Sequence, residues 1–112
     1  MGSLLQRILH HEPGSILNVM ELRFSRGLVG KPHYNKDRDE VMVVLQGSLE
    51  IWLYDQNLKV YCKKMLCIDS TNLVWTLIPM NIIHQINVLS QEATVLEMLG
   101  GSFFEGACVD VL

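Results

Sequence analysis

No stretch of this chain keeps an apolar residue every three or four positions for the roughly 11 residues that a packed helix needs. Short segments rich in Val, Ile, Leu, Trp and Tyr recur from end to end instead. Turn residues interrupt them at intervals of about 6 to 12 residues, which predicts an all-β domain of eight or so short strands. Expected strands are Leu4 to Leu9, Ile16 to Phe24, Glu40 to Leu45, Leu49 to Tyr54, Lys59 to Leu66, Val74 to Ile78, Ile82 to Leu89 and Ala93 to Leu99. Ser25 to Pro32, with Gly27 and Gly30, is expected as a loop. The clearest hairpin joins Glu40–Leu45 to Leu49–Tyr54 through Gln46-Gly47-Ser48, where Gly47 accepts a positive φ without steric cost. So much strand sequence needs its edges protected, and a sandwich or a closed jelly-roll barrel does that. An immunoglobulin-like sandwich fits less well, because its Cys and Trp landmarks are missing.

At 112 residues the chain is expected to be one domain, spanning 1–112, with a single core and little surface to spare. It is 49% hydrophobic and 19% charged, with a mean hydropathy of +0.23, a balance that argues against disorder and favours a homodimer hiding some apolar surface. A net charge of -3 without a basic stripe leaves nothing to neutralise phosphates, so no nucleic acid is expected as a partner. The longest apolar runs, Val41 to Leu45 and Val74 to Pro79, fall far short of the roughly 20 residues that cross a bilayer, and the N-terminal segment lacks the pattern of a signal peptide. No membrane association is expected. Cys62, Cys67 and Cys108 form an odd set without a C-x-x-C pair, which suits unpaired small hydrophobes in a reducing cytoplasm.

Two polar clusters flank the apolar strands. In K-P-H-Y-N-K-D-R-D-E, His33 and Asn35 share a face if the chain is extended, and Glu40 shares one with Met42 and Val44. His84, in I-P-M-N-I-I-H-Q-I-N, shares a face with Ile82 and Ile86. A carboxylate and an imidazole facing an apolar interior are expensive unless they are paired or bind a metal. Together these residues supply two imidazoles, one carboxylate and an amide, a set compatible with a divalent transition ion such as iron, manganese, nickel or zinc. Glu97 lies in V-L-E-M-L: inward with Val95 and Leu99 it is a candidate catalytic proton handler, outward it is a solvated carboxylate. Tyr34 and Lys36 are expected at the rim or in solvent, and Arg23 and Arg26 could guide an acidic or phosphorylated sugar to the mouth. Trp52 and Tyr54 fall on the opposite phase from Ile51 and Leu53 and suit a dimer interface, while the Phe103 to Leu112 tail is expected to pack along the barrel or a partner.

The pattern H33-x-N35-x4-E40-x6-G47 followed by P79-x-N81-x2-H84 resembles the two motifs of the cupin superfamily, and the longer stretches around them resemble WbuC-type cupins. The resemblance runs from about Ile16 to Gly101 and implies a double-stranded β-helix, the cupin jelly-roll barrel. It implies that His33, Glu40 and His84 occupy metal-ligand positions. Asn35 stands on the second imidazole position and Asn81 on the glycine of the second motif. An amide oxygen is a weaker donor than imidazole for such ions, so a weakly bound metal is expected. Asn81 should keep the turn, since asparagine tolerates left-handed geometry. The implied function is a small metal-binding cupin acting on a sugar or related polar metabolite by isomerase- or epimerase-like proton transfer, or oxygen chemistry at iron. The alternative is a degenerate cupin serving as a small-molecule-binding or protein-interaction module.

Overall fold

The computed structural model describes residues 2, 4–11, 17–36, 38–68, 75–100 and 110–111, and among them every regular element is a strand. Eight strands follow in chain order: β1 Leu4–His11, β2 Leu17–His33, β3 Asp39–Gln46, β4 Ser48–Tyr54, β5 Val60–Cys67, β6 Trp75–Ile78, β7 Ile83–Gly100 and β8 Asp110–Val111. The fold is the double-stranded β-helix expected of a cupin barrel. Among the described residues no helix is long and apolar enough to cross a membrane.

β7 is the spine. Along one side it pairs with β2; along the other it pairs first with β4, from Ile83 to Val88, and then with β3, from Thr94 to Gly100. It changes partner around Ser90-Gln91-Glu92, where a bulge in its pairing with β2 falls between Ser25 and Gly27. Two separate strands, Ile82–Leu89 and Ala93–Leu99, were expected here, and the structure replaces them with one bent strand. β2 likewise continues through the Ser25–Pro32 segment expected as a loop. Gly27 and Gly30, with φ of 114° and 61°, bend the strand without ending it.

The inward phase is apolar. Leu22, Phe24, Met42, Val44, Leu49, Ile51, Leu53, Ile86, Val88 and Val95 form one buried cluster, each contributing about 1.5–3 kcal/mol through its burial if it is a large side chain. The β3–β4 turn crosses the bend of β7, and this fixes Gly47. Its φ is 82°, and a Cβ there would sit 2.3 Å from the Glu92 carbonyl oxygen and 2.6 Å from Ser90 Oγ. Ser90 Oγ in turn accepts from Ser48 N–H at 3.0 Å. Gly47→Ala therefore combines left-handed strain with overpacking against backbone, and should lower stability by about 2–5 kcal/mol in urea unfolding. A loss under 1 kcal/mol would contradict this account of the turn.

Among the described residues β5 pairs with β4 alone, and it carries Cys62 and Cys67 as exposed thiols, correcting their expected role as small hydrophobes. Cys108 and all of the C-terminal tail except Asp110–Val111, which pairs with β6, lie outside the described residues. On the outward phase of β4, Trp52 donates to Glu50 at 3.2 Å and lies under Lys63 Nζ, 4.1 Å from the ring centre, while Tyr54 bonds Gln85. These aromatics are engaged within the chain's own sheet.

Candidate metal centre

Register brings the polar clusters together. His33 closes β2 directly opposite His84 on β7, and the two rings lie 4.4 Å apart between centroids. Glu40 opens β3 between Ile78 of β6 and Leu99 of β7, so its side chain enters the barrel on the phase of Met42 and Val44. Two backbone N–H groups then lock one motif to the other. Asn81 N–H donates to the Asn35 carbonyl at 2.7 Å, and Met80 N–H donates to Asp39 Oδ1 at 2.9 Å. Asn81 holds φ of 68°, the left-handed conformation expected where a glycine would otherwise serve.

Glu40 and His84 are 3% and 1% exposed, and Glu97 is 9% exposed, placing it inward. Both imidazoles donate Nδ1–H to the carbonyl two residues earlier: His33 to Lys31 at 3.0 Å, His84 to Ile82 at 2.9 Å. A carbonyl only accepts, so Nδ1 carries a proton in each ring, and in the neutral ring Nε2 is left with a free lone pair. His84 Nε2 and Glu40 Oε2 are buried without a hydrogen-bond partner and stand 3.5 Å apart, an ion-pair distance. Asn35 Nδ2 reaches Glu40 Oε1 at 3.5 Å.

Charge follows from this packing. Burial alone would lower the His84 pKa, but the Glu40 carboxylate beside it, aided by the Ile82 carbonyl, raises it above the ordinary imidazole value. Burial alone would raise Glu40, but His84, the Glu97 proton and His33 hold it below the ordinary carboxylate value. Glu97 is pushed up to about 9 by burial and by the neighbouring Glu40, with Arg38 acting weakly the other way. Near neutrality Glu97 thus keeps its proton and Glu40 carries the charge.

The donor set fits a divalent ion in chemistry and tautomer. Two orphaned donors 3.5 Å apart match the roughly 3.0–3.5 Å between two ligands of one ion at about 2.1 Å. Nδ1–H bonded to a carbonyl is the outer arrangement that ligating histidines use. Among the described residues no group of three or more His, Cys, Asp or Glu forms a ready-made cage, so the third donor, His33, would have to turn toward the other two.

Other expected site residues divide. Tyr34 and Lys36 are exposed, as expected. Arg23 is turned to the outer face on the phase opposite Leu22 and Phe24 and is paired with Glu21 at 3.0 Å, so it does not stand at this mouth. A cavity of about 130 Å³ borders His33, Glu40 and Glu97 and is walled by Leu22, Phe24, Val29 and Ile86, with Leu4 at its edge. Nothing in the local pattern around Leu4 marks it as a lining residue. Only the pairing of β1 with β2 brings it there.

No protein-family model matches the chain, and no curated protein does. Solved structures do. KdgF from a Halomonas species is 24% identical, with a TM-score of 0.66 over 86% of this chain and 76% of that one. A cupin superfamily protein from Desulfitobacterium hafniense is 18% identical, with a TM-score of 0.67 over 88% of this chain and 78% of that one. A recombinant oxalate oxidase in complex with glycolate is 19% identical, with a TM-score of 0.63 over 89% of this chain and 51% of that one. At these identities the likeness is one of fold.

Proposed function

On this cupin barrel, we propose a metal-dependent proton transfer on a small oxygenated metabolite, sugar or sugar-related, with His33, Glu40 and His84 holding a divalent transition ion. The carrying observation is a pair of buried atoms without a hydrogen-bond partner, His84 Nε2 and Glu40 Oε2, facing each other at the ion-pair distance of 3.5 Å. A domain of this size is stable by about 5–15 kcal/mol, and a buried charged pair weakens that margin or leaves it unchanged more often than it adds to it. Such a pair is retained for chemistry more readily than for stability. When bound, the ion would polarise a carbonyl or hydroxyl oxygen of the substrate. Glu97 borders the same cavity as Glu40; holding its proton at rest, it would first give that proton to a substrate oxygen and, as the resulting carboxylate, take one from the adjacent carbon. The apolar wall excludes water from that exchange. A WbuC-like role in polysaccharide metabolism, a homodimer and a cytoplasmic setting belong to this proposal.

Asn35 favours a second reading, a degenerate cupin that binds a small molecule without turnover. Its amide is turned to Glu40 where a further imidazole would complete the ligand set. Hydrogen–deuterium exchange at carbon, followed by NMR for a panel of hydroxy-carbonyl sugars with metal-replenished protein, separates the two. Exchange should fall about 100-fold or more in Glu97→Gln while bound metal per chain stays unchanged. Metal bound without exchange on any panel member would favour the second reading, and exchange unaltered by Glu97→Gln would remove Glu97 from the chemistry.

A further inference from the structure

The cavity beside Glu40 is divided by chemistry. One end is His33, Glu40 and Glu97; the remaining wall is hydrocarbon, from Leu22 and Phe24 on β2 to Val29 and Ile86. Its volume of about 130 Å³ lies just under the roughly 150 Å³ of an apolar cavity that takes up benzene, so it buries about six non-hydrogen atoms. Leu4, 43% exposed, marks where the wall meets solvent. A hydroxyl pressed against this wall finds no partner, and each one costs roughly tenfold in affinity. A polyol therefore suits the polar end alone.

We propose that the buried part of the ligand is an oxygen-headed hydrocarbon: two neighbouring oxygens facing His33, Glu40 and Glu97, and about four carbons without further hydroxyls along Leu22, Phe24, Val29 and Ile86. This rests on the proposed function in taking the Glu40 cavity as the ligand site, and it narrows the substrate to a deoxygenated sugar end or a short vicinally oxygenated chain. Specificity comes from the wall, because the polar end is satisfied by any pair of adjacent oxygens.

The test is titration of metal-free and zinc-loaded protein with ethane-, propane-, butane- and hexane-1,2-diol and with erythritol, reading the methyl NMR signals of Leu22, Val29 and Ile86. Affinity should rise about fourfold per methylene to butane-1,2-diol, the step that burial of a CH₂ gives. Hexane-1,2-diol should then gain less than fourfold in total, because its end passes Leu4 into solvent. Erythritol, with the same four carbons as butane-1,2-diol, should bind at least about tenfold more weakly. Val29→Leu narrows the wall with little risk to the fold and should move the break to propane-1,2-diol, whereas Phe24→Ala removes a buried core side chain and is less safe. A flat series, erythritol binding as well as butane-1,2-diol, a break unmoved by Val29→Leu, or no member shifting these signals would overturn the inference. If zinc retention proves independent of His33 while the break persists, the proposed metal function fails and this inference stands. If zinc binds through His33 and the series is flat, the reverse holds.

Discussion

Glu97→Gln is expected to stabilise the metal-free protein by about 3 kcal/mol at pH 7 and by almost nothing at pH 4.5. The folded protein keeps the Glu97 proton up to about 9, whereas the unfolded chain releases it near the ordinary 4.5. Between those values the unfolded state binds fewer protons, so stability falls as pH rises through that window. At pH 7 the unfolded chain has gained about 2.5 pKa units of ionisation that the folded state forgoes, close to 3 kcal/mol. Glutamine has no such proton to lose, and its amide N–H can replace the carboxyl proton facing Glu40. Urea unfolding of both proteins at both pH values reads the effect. Equal gains at the two values, or a loss at pH 7, would contradict the buried, protonated Glu97.

Of the other two groups, His84 acts in the same direction as Glu97 and Glu40 in the opposite one. His84 is raised, so its contribution is complete below about 6.5 and lost as pH climbs through its folded value. Glu40 is lowered, so its contribution is complete above about 4.5 and lost as pH falls through its folded value. From these three groups the metal-free protein should be most stable near pH 4.5 and weaken as pH rises above it.

The second large effect concerns metal retention. Protein purified without chelator should hold less than one divalent ion per chain, because Asn35 supplies only an amide at the edge of the site. Asn35→His should tighten retention by about 10- to 100-fold, the scale on which one well-placed donor group acts. His33→Ala should weaken it by at least about 100-fold, and His33 is exposed, so its loss spares the fold. His84→Ala should also lose the ion, but it leaves Glu40 buried without its partner and costs about 3–5 kcal/mol of stability as well. Metal content after dialysis against a graded chelator series distinguishes these. Equal retention in the wild-type and Asn35→His proteins would defeat the argument from ligand softness.

Much of the fold was legible because strand phase is a local property. Glu40, Met42 and Val44 share one inward face as period-2 counting requires, and the Gly47 turn sits where a positive φ was expected. The meeting of the two polar clusters was legible for the same reason: His33 and His84 end up opposite each other on paired strands. Glu97 was undecided because apolar neighbours on both sides give no phase, and only its position on β7, with Val95 and Leu99, turns it inward. The bends in β2 and β7 escaped notice because a bulged strand and a loop carry the same Gly and Ser signals. The hydrocarbon wall escaped too, since a cavity is made by residues distant in sequence whose local patterns are those of ordinary core.

The central claim is that one ion sits between His33, Glu40 and His84. An anomalous-difference map from crystals of metal-replenished protein tests it most directly. The account predicts a single peak about 2.0–2.3 Å from His33 Nε2, His84 Nε2 and a Glu40 carboxylate oxygen, with Glu97 outside ligand distance. A peak elsewhere, or none at full metal supply with Glu40 and His84 still facing each other, would contradict it.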